Sequence, residues 1–330
     1  MRRLTPTPEE KHRLAEIHDL IARHGYSAAR GMVAAADRRY VDLAALLLGN
    51  DRGSPAYLYS GFAMTALPHR RLPSDNDAWQ RTNGHFSLMV EPGFIPGPDG
   101  EPWRQGVPFG SRARLILLYL QSEAIRTGSP EVRLGNTMHH WLERMGVKSG
   151  GSSYAAIRDQ ARRLSACRLT ISWTAEDGRN GFERANIVNA VLQPPSASGP
   201  GGAWDETARL SPEFFEALRE HSLPVSENAI KAIQNSSAVI DVYVWLCYRL
   251  FTLTRVTDIP WAALREKFGP EYKHLRQFRA KFVPALKEAL AVYPEANVEL
   301  LPEGLRLLPS RPAMPAPRTF YIGPATARRP

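Results

Sequence analysis

Between residues 272 and 293 the sequence sets cations and apolar side chains on opposite sides of a helical period. Leu275, Phe278, Phe282 and Leu286 recur at spacings of three and four and make one apolar stripe. Lys273, Arg276, Gln277 and Lys281 occupy much of the remaining surface, with Arg279 at its flank. Arginine forks and glutamine amides pair with purine edges, and a cationic face attracts phosphate. The stretch therefore suits a helix laid in the major groove of duplex DNA. A solvated basic face is the plainer reading of the same pattern. Pro284 interrupts the period, because an interior proline removes a hydrogen bond and crowds the preceding turn. A kink or restart is expected there, with the basic half before it.

A second stretch, 154–166, has the same character. Tyr154, Ile157, Ala161 and Leu164 form its apolar side, while Arg158, Gln160, Arg162 and Arg163 point elsewhere. Arg158 and Arg162 stand one turn apart and can reach neighbouring phosphates or bases from one face. The candidate DNA-binding residues are thus Arg158, Arg162, Arg163, Lys273, Arg276, Gln277, Arg279 and Lys281.

The elements that would hold these helices can be read around them. Residues 237–253 are almost wholly apolar and predict a buried helix. A short extended piece at 256–261 and a compact helix at 262–268 follow, the latter stopped by Gly269-Pro270. After the basic helix come two short strands around Pro302-Glu303-Gly304, in 298–308. Helix, strand, helix, turn, helix, hairpin is the order of a winged helix-turn-helix. The pattern occurs a second time upstream. There a helix at 111–125 has Ser111 as its expected N-cap, followed by a strand at 131–134 and a helix at 136–145 ended by Gly146. The basic helix 154–166 comes next, then strands at 168–174 and 182–192 around a polar wing, 175–181. Ser111 aligns with Ser237, Tyr119 with Trp245, and Gly146 with Gly269.

The expected fold class is α+β, two tandem winged helix-turn-helix domains with a helical N-terminal extension. The boundaries are 1–54 for the extension, 55–223 and 224–310 for the two domains, and 311–330 for a flexible tail. Residues 193–204 read as a flexible loop by composition. Ser211-Pro212 marks a helix start, and β-type runs at 56–64 and 85–90 lie beside the first domain without an obvious partner. Pro68-His69-Arg70-Arg71 and Trp79-Gln80-Arg81 mix cations with aromatics, which is more often packing than a nucleic-acid contact.

Bulk properties narrow the function classes. The 330 residues carry 42 Lys and Arg against 33 Asp and Glu, a net charge of +9, which favours an anionic partner. Cys167 and Cys247 both lie in apolar runs and read as buried free thiols in a reducing compartment. No apolar run has the length of a membrane span, and Met1-Arg2-Arg3 leads into no signal core, so a cytoplasmic protein without membrane contact is expected.

Several blocks together resemble the plasmid-encoded replication initiator RepA family, over about 57–310. They are Leu67-Pro68-His69-Arg70, Gly110-Ser111-Arg112-Ala113-Arg114-Leu115, Leu134-Gly135 and Leu210-Ser211-Pro212-Glu213-Phe214-Phe215, then Asp241-Val242-Tyr243-Val244-Trp245-Leu246, Ile259-Pro260-Trp261, Phe268-Gly269, the stretch 272–293 and Gly304-Leu305. The resemblance implies a binder of repeated double-stranded origin sites that engages the repeats as a monomer and represses its own promoter as a dimer. Its implied partners are origin DNA, host replication proteins (initiator and helicase) and a second copy of itself. The unpartnered β-type runs beside the first domain would supply the dimer edge.

An enzyme is the rival class. Lys148-Ser149-Gly150-Gly151 has the wrong order for a phosphate-cradling loop, and His139-His140 diverge too far on a helix to clasp one ion. The two cysteines offer no zinc spacing. Neither an active site, a metal nor a cofactor is read. A dedicated transcriptional repressor is the alternative within the DNA-binding class.

Overall fold

In the computed structural model, residues 17–48, 53–97, 99–147, 150–174, 180–192 and 207–314 are described. The wing tip, the loop at 193–204, most of the turn at 49–53 and nearly all of the tail lie outside these residues. Two compact units emerge, one from the described residues up to 55 together with those from 225 onward, the other from 56–224.

The first unit opens with helix α1 (17–24), α2 (Tyr26–Met32) and α3 (Arg38–Leu48). Ile17, Ala29, Val41 and Ala44 meet in a small apolar core.

The chain then builds the second unit. It contains β1 (Pro55–Tyr59), α4 (Gly61–Met64), β2 (Trp79–Asn83), β3 (Phe86–Glu91), β4 (Gly93–Pro96), β5 (Pro102–Gln105), α5 (Gly110–Thr127) and β6 (Glu131–Arg133). After these come α6 (Gly135–Arg144), α7 (Gly151–Ala166), β7 (Arg168–Thr174), β8 (Asn180–Asn186), β9 (Val188–Leu192), β10 (Thr207–Leu210) and α8 (Pro212–Glu220). Helix α5 is the axis of this unit, with Leu115 to Leu120 all buried. Its buried polar groups all find partners, as burial in low dielectric demands. Gln121 Oε1 accepts from the Tyr59 amide at 2.6 Å, Ser122 Oγ from the Tyr57 amide at 2.8 Å, and Tyr119 Oη donates to the Arg133 carbonyl at 2.6 Å. Ser111 is not the cap of this helix, which begins one residue earlier, after Phe109, without a side-chain cap. Ser211 does cap α8, accepting from the Phe214 amide with Pro212 in the first turn.

Three sheets complete the unit, ordered β2-β3-β7-β8, β6-β10-β9 and β4-β5. The run 85–90 is therefore no free edge: β3 pairs with β2 on one side and β7 on the other. Residues 56–64 divide into a strand that pairs with β11 (Ser222–Ser226) and the short helix α4. The expected dimer edge at these runs is withdrawn, since their backbone groups are already committed within the chain.

On its return the chain adds α9 (Glu227–Ile233), α10 (Ser237–Thr252), β12 (Thr257–Pro260), α11 (Trp261–Phe268), α12 (Leu275–Ala291), β13 (Val298–Leu300) and β14 (Gly304–Leu307) to the first unit. Buried along most of its length, α10 is capped by Ser236. The antiparallel sheet runs β12-β14-β13. Gly304 is required by the closeness of these strands: a Cβ there would stand 1.9 Å from the Ile259 carbonyl oxygen. The N-terminal helices belong to this unit's packing. Arg39 reaches Glu288 of α12 at 2.9 Å, and Lys287 lies over the Tyr40 ring at 5.9 Å. Among the described residues, no helix is long and apolar enough to cross a membrane.

Candidate nucleic-acid interface

Helix α12 is held from behind by aromatic packing. Phe278 and Phe282 stack at 5.1 Å, Phe282 meets Phe268 at 5.1 Å and Trp261 at 6.2 Å, and Tyr272 packs edge-on to Phe278. Aromatic pairs of this kind add to the energy of burial and fix orientation as well as depth. The predicted stripe is thus the buried one, apart from Leu275, which is half-buried.

The opposite face presents Arg276, Gln277, Ala280, Lys281 and Pro284, all exposed. Among the described residues Arg276, Gln277 and Lys281 make no side-chain hydrogen bond or ion pair. No acid lies between 272 and 284, and the first turn of the helix carries cations where its dipole favours anions. The face is therefore a solvent-exposed cationic surface with no acid of its own to neutralise it. Two expected features differ. The helix starts at Leu275, so Lys273 sits exposed in the turn before it. Nor is there a restart at Pro284, whose ring points to solvent within one continuous helix. Arg279 is half-buried and stacked over Trp261 at 4.8 Å, which ties it to the protein. Ala280 was not singled out from sequence. It is exposed on the same face as Arg276 and Lys281, and helical spacing from Arg276 was the signal for it.

On α7 the three arginines have three different fates. Arg158 is exposed. Arg162 is half-buried, its guanidinium 4.8 Å from the centre of the Trp103 ring. Arg163 is removed from the candidate set because it is buried: Nη1 lies 2.9 Å from Asp75 and Nε 2.9 Å from Asp159. A buried guanidinium needs polar partners, and an arginine committed to two carboxylates has little left to offer a phosphate. Gly106 gives the Asp75 pair room, since a Cβ there would be 2.2 Å from the Asp75 carboxylate. Trp79 and Arg81 likewise serve packing, with the Arg81 guanidinium 4.6 Å over the Trp79 ring and the indole donating to the Ala66 carbonyl.

The Asp75 cluster predicts a pH dependence. Arg71 hydrogen-bonds Asp75 and, with Arg163, holds its carboxyl below the ordinary value of 3.8. The folded-state pKa is the lower one, so the stabilisation is complete above the unfolded-state pKa and disappears as pH falls through the folded value. Acid titration of the melting temperature should show this loss, and Asp75→Asn should flatten the curve at its low end. An unchanged curve would remove Asp75 from the account.

Among the described residues no group of three His, Cys, Asp or Glu stands together to hold a metal. Burial pushes the thiols of Cys167 and Cys247 up to about 12, which makes both inert.

Comparison with known proteins adds a family. Residues 107–261 match the family described as plasmid encoded RepA protein. Domains 2 and 3 of RctB, in a selenomethionine crystal structure, share the fold with a TM-score of 0.52 at 13% identity, over 78% of this chain and 99% of that one. A further crystal structure of RctB domains 2 and 3 aligns with a TM-score of 0.45 at 14% identity, over 74% of this chain and 94% of the other. A search of curated proteins finds no match.

Proposed function

We propose, from the match of residues 107–261 to the family of plasmid encoded RepA proteins, that this chain is a sequence-specific, double-stranded-DNA-binding initiator of plasmid replication. The observation that carries this reading is the exposed, acid-free face of α12 with Arg276, Gln277 and Lys281. Arginine and glutamine are the side chains that pair bidentately with guanine and adenine in the major groove. Element order supports a winged-helix assignment of the first unit: α10, β12, α11, α12, then a β13–β14 hairpin whose second strand pairs with β12. In the second unit α5, β6, α6, α7 and the β7–β8 hairpin follow the same order, but β6 pairs with β10 rather than with that hairpin.

In this reading the protein acts by binding, without catalysis, on repeated origin sites in the cytoplasm, and recruits the host initiator and helicase. It also represses its own promoter, for which a second copy is the expected partner. A dedicated repressor would share the DNA chemistry, so replication itself is the deciding test. An origin plasmid supplied with the chain in trans should replicate, and should stop doing so with the Arg276→Ala, Gln277→Ala pair. Promoter repression with no support of replication would establish the repressor instead.

A further inference from the structure

The β4–β5 hairpin is pressed against the end of α7. At Gly93 a Cβ would lie 2.0 Å from the Ala166 carbonyl oxygen, so strand and helix touch through backbone. From this hairpin Trp103 keeps 42% of its surface exposed beneath the Arg162 guanidinium. A single exposed aromatic is ordinary on a protein surface, so what matters here is the charge held against it.

The neighbouring charges make the case specific. Arg163 is neutralised by Asp75 and Asp159. Arg162 has no carboxylate partner among the described residues, and its Nε is buried without a hydrogen bond. Stacking on an indole orients a guanidinium without cancelling its charge, so this cation is held in place and still uncompensated. One turn earlier on the same helix stands the exposed Arg158. On the hairpin's other face Phe94, 56% exposed, carries Arg104 at 4.9 Å. The exposed acids Asp99 and Glu101 lie at the hairpin's turn. They keep the turn away from a polyanion and leave the flank along α7 as the docking side.

We infer that Trp103 and Arg162 form a clamp for one sugar–phosphate strand of duplex DNA, the indole edge against deoxyribose and the guanidinium on the adjoining phosphate. This rests on the reading of the chain as a DNA binder and adds to it a contact that carries no base information. It would hold the register of α7 on any sequence.

The test uses the full chain and a fluorescein-labelled duplex of random sequence, with a single strand of equal length as control. Trp103→Ala should lower duplex affinity about fivefold with the melting temperature unchanged, and Trp103→Phe should restore most of it. Arg162→Met should reduce the salt slope by about one ion. Adding duplex should quench more of the tryptophan emission in the wild type than in Trp103→Phe. Unchanged affinity in Trp103→Ala overturns the clamp. So does a fall in melting temperature with normal binding by the folded fraction, which would make Trp103 a packing residue. A larger loss on the single strand than on the duplex would also overturn it. Failure of the wild-type chain to bind any duplex would instead sink the DNA-binding reading itself.

Discussion

Arg276→Ala should lower affinity for the preferred duplex, selected from a random pool, by on the order of tenfold to a hundredfold. A good bidentate contact to a purine is worth ~1–3 kcal/mol of discrimination, and that energy is absent from non-specific complexes. Arg276 is exposed, has no protein partner among the described residues, and is on the first turn of α12, the end that recognition helices bring to base edges. Affinity for random duplex should change far less, and the salt slope by no more than about one ion. Paired titrations at one salt concentration would decide it, and equal losses on both duplexes would reduce the residue to a phosphate contact. Arg279→Ala is the internal control. Its guanidinium is stacked on Trp261, so its removal should loosen packing and leave the preference between sequences intact.

Phe282→Ala should destabilise the first unit by about 3–5 kcal/mol, the usual cost of emptying a buried phenylalanine site. The ring is 4% exposed and meets Trp261, Phe268 and Phe278, so it is the point at which α11 and α12 are held together. A loss of that size is a large part of a typical domain's total stability. The denaturation midpoint should fall at an unchanged slope, and all DNA binding should weaken together as the unit unfolds. That outcome separates it from Arg276→Ala, which should alter sequence preference in a folded protein. A shift below about 1 kcal/mol would show that the cluster collapses around the gap and that α12 is held by other contacts.

Local sequence was sufficient for the apolar stripe of α12 (its period), for the buried helix α10 (its apolar run) and for the helix start at Ser211-Pro212 (its residue types), because each depends on residues within a few positions of one another. The blocks that carried the family resemblance also acquire a physical meaning once folded. Arg114 is buried and donates to the carbonyls of Leu67 at 2.7 Å and Pro68 at 3.3 Å, so two of those blocks form one contact. Helix ends were less legible. Lys273 and Ser111 both drew expectations that a shift of a few residues undid, since capping depends on backbone geometry that composition does not specify.

What the sequence determined by itself is the cationic character of the two helices and the order of the elements that carry them. Which cations remain available was decided only by the tertiary structure. Arg162 and Arg163 are adjacent in the chain, yet one is stacked on Trp103 and the other is buried against Asp75, a residue 88 positions away. The same holds for the run at 85–90, which looked unpartnered until β7 supplied its second neighbour. Helical period is a local property, whereas the charge a side chain can still offer depends on which distant groups folding brings against it. A buried cation must be matched by polar or charged groups, and no spacing rule within the helix records which distant group folding brings to it.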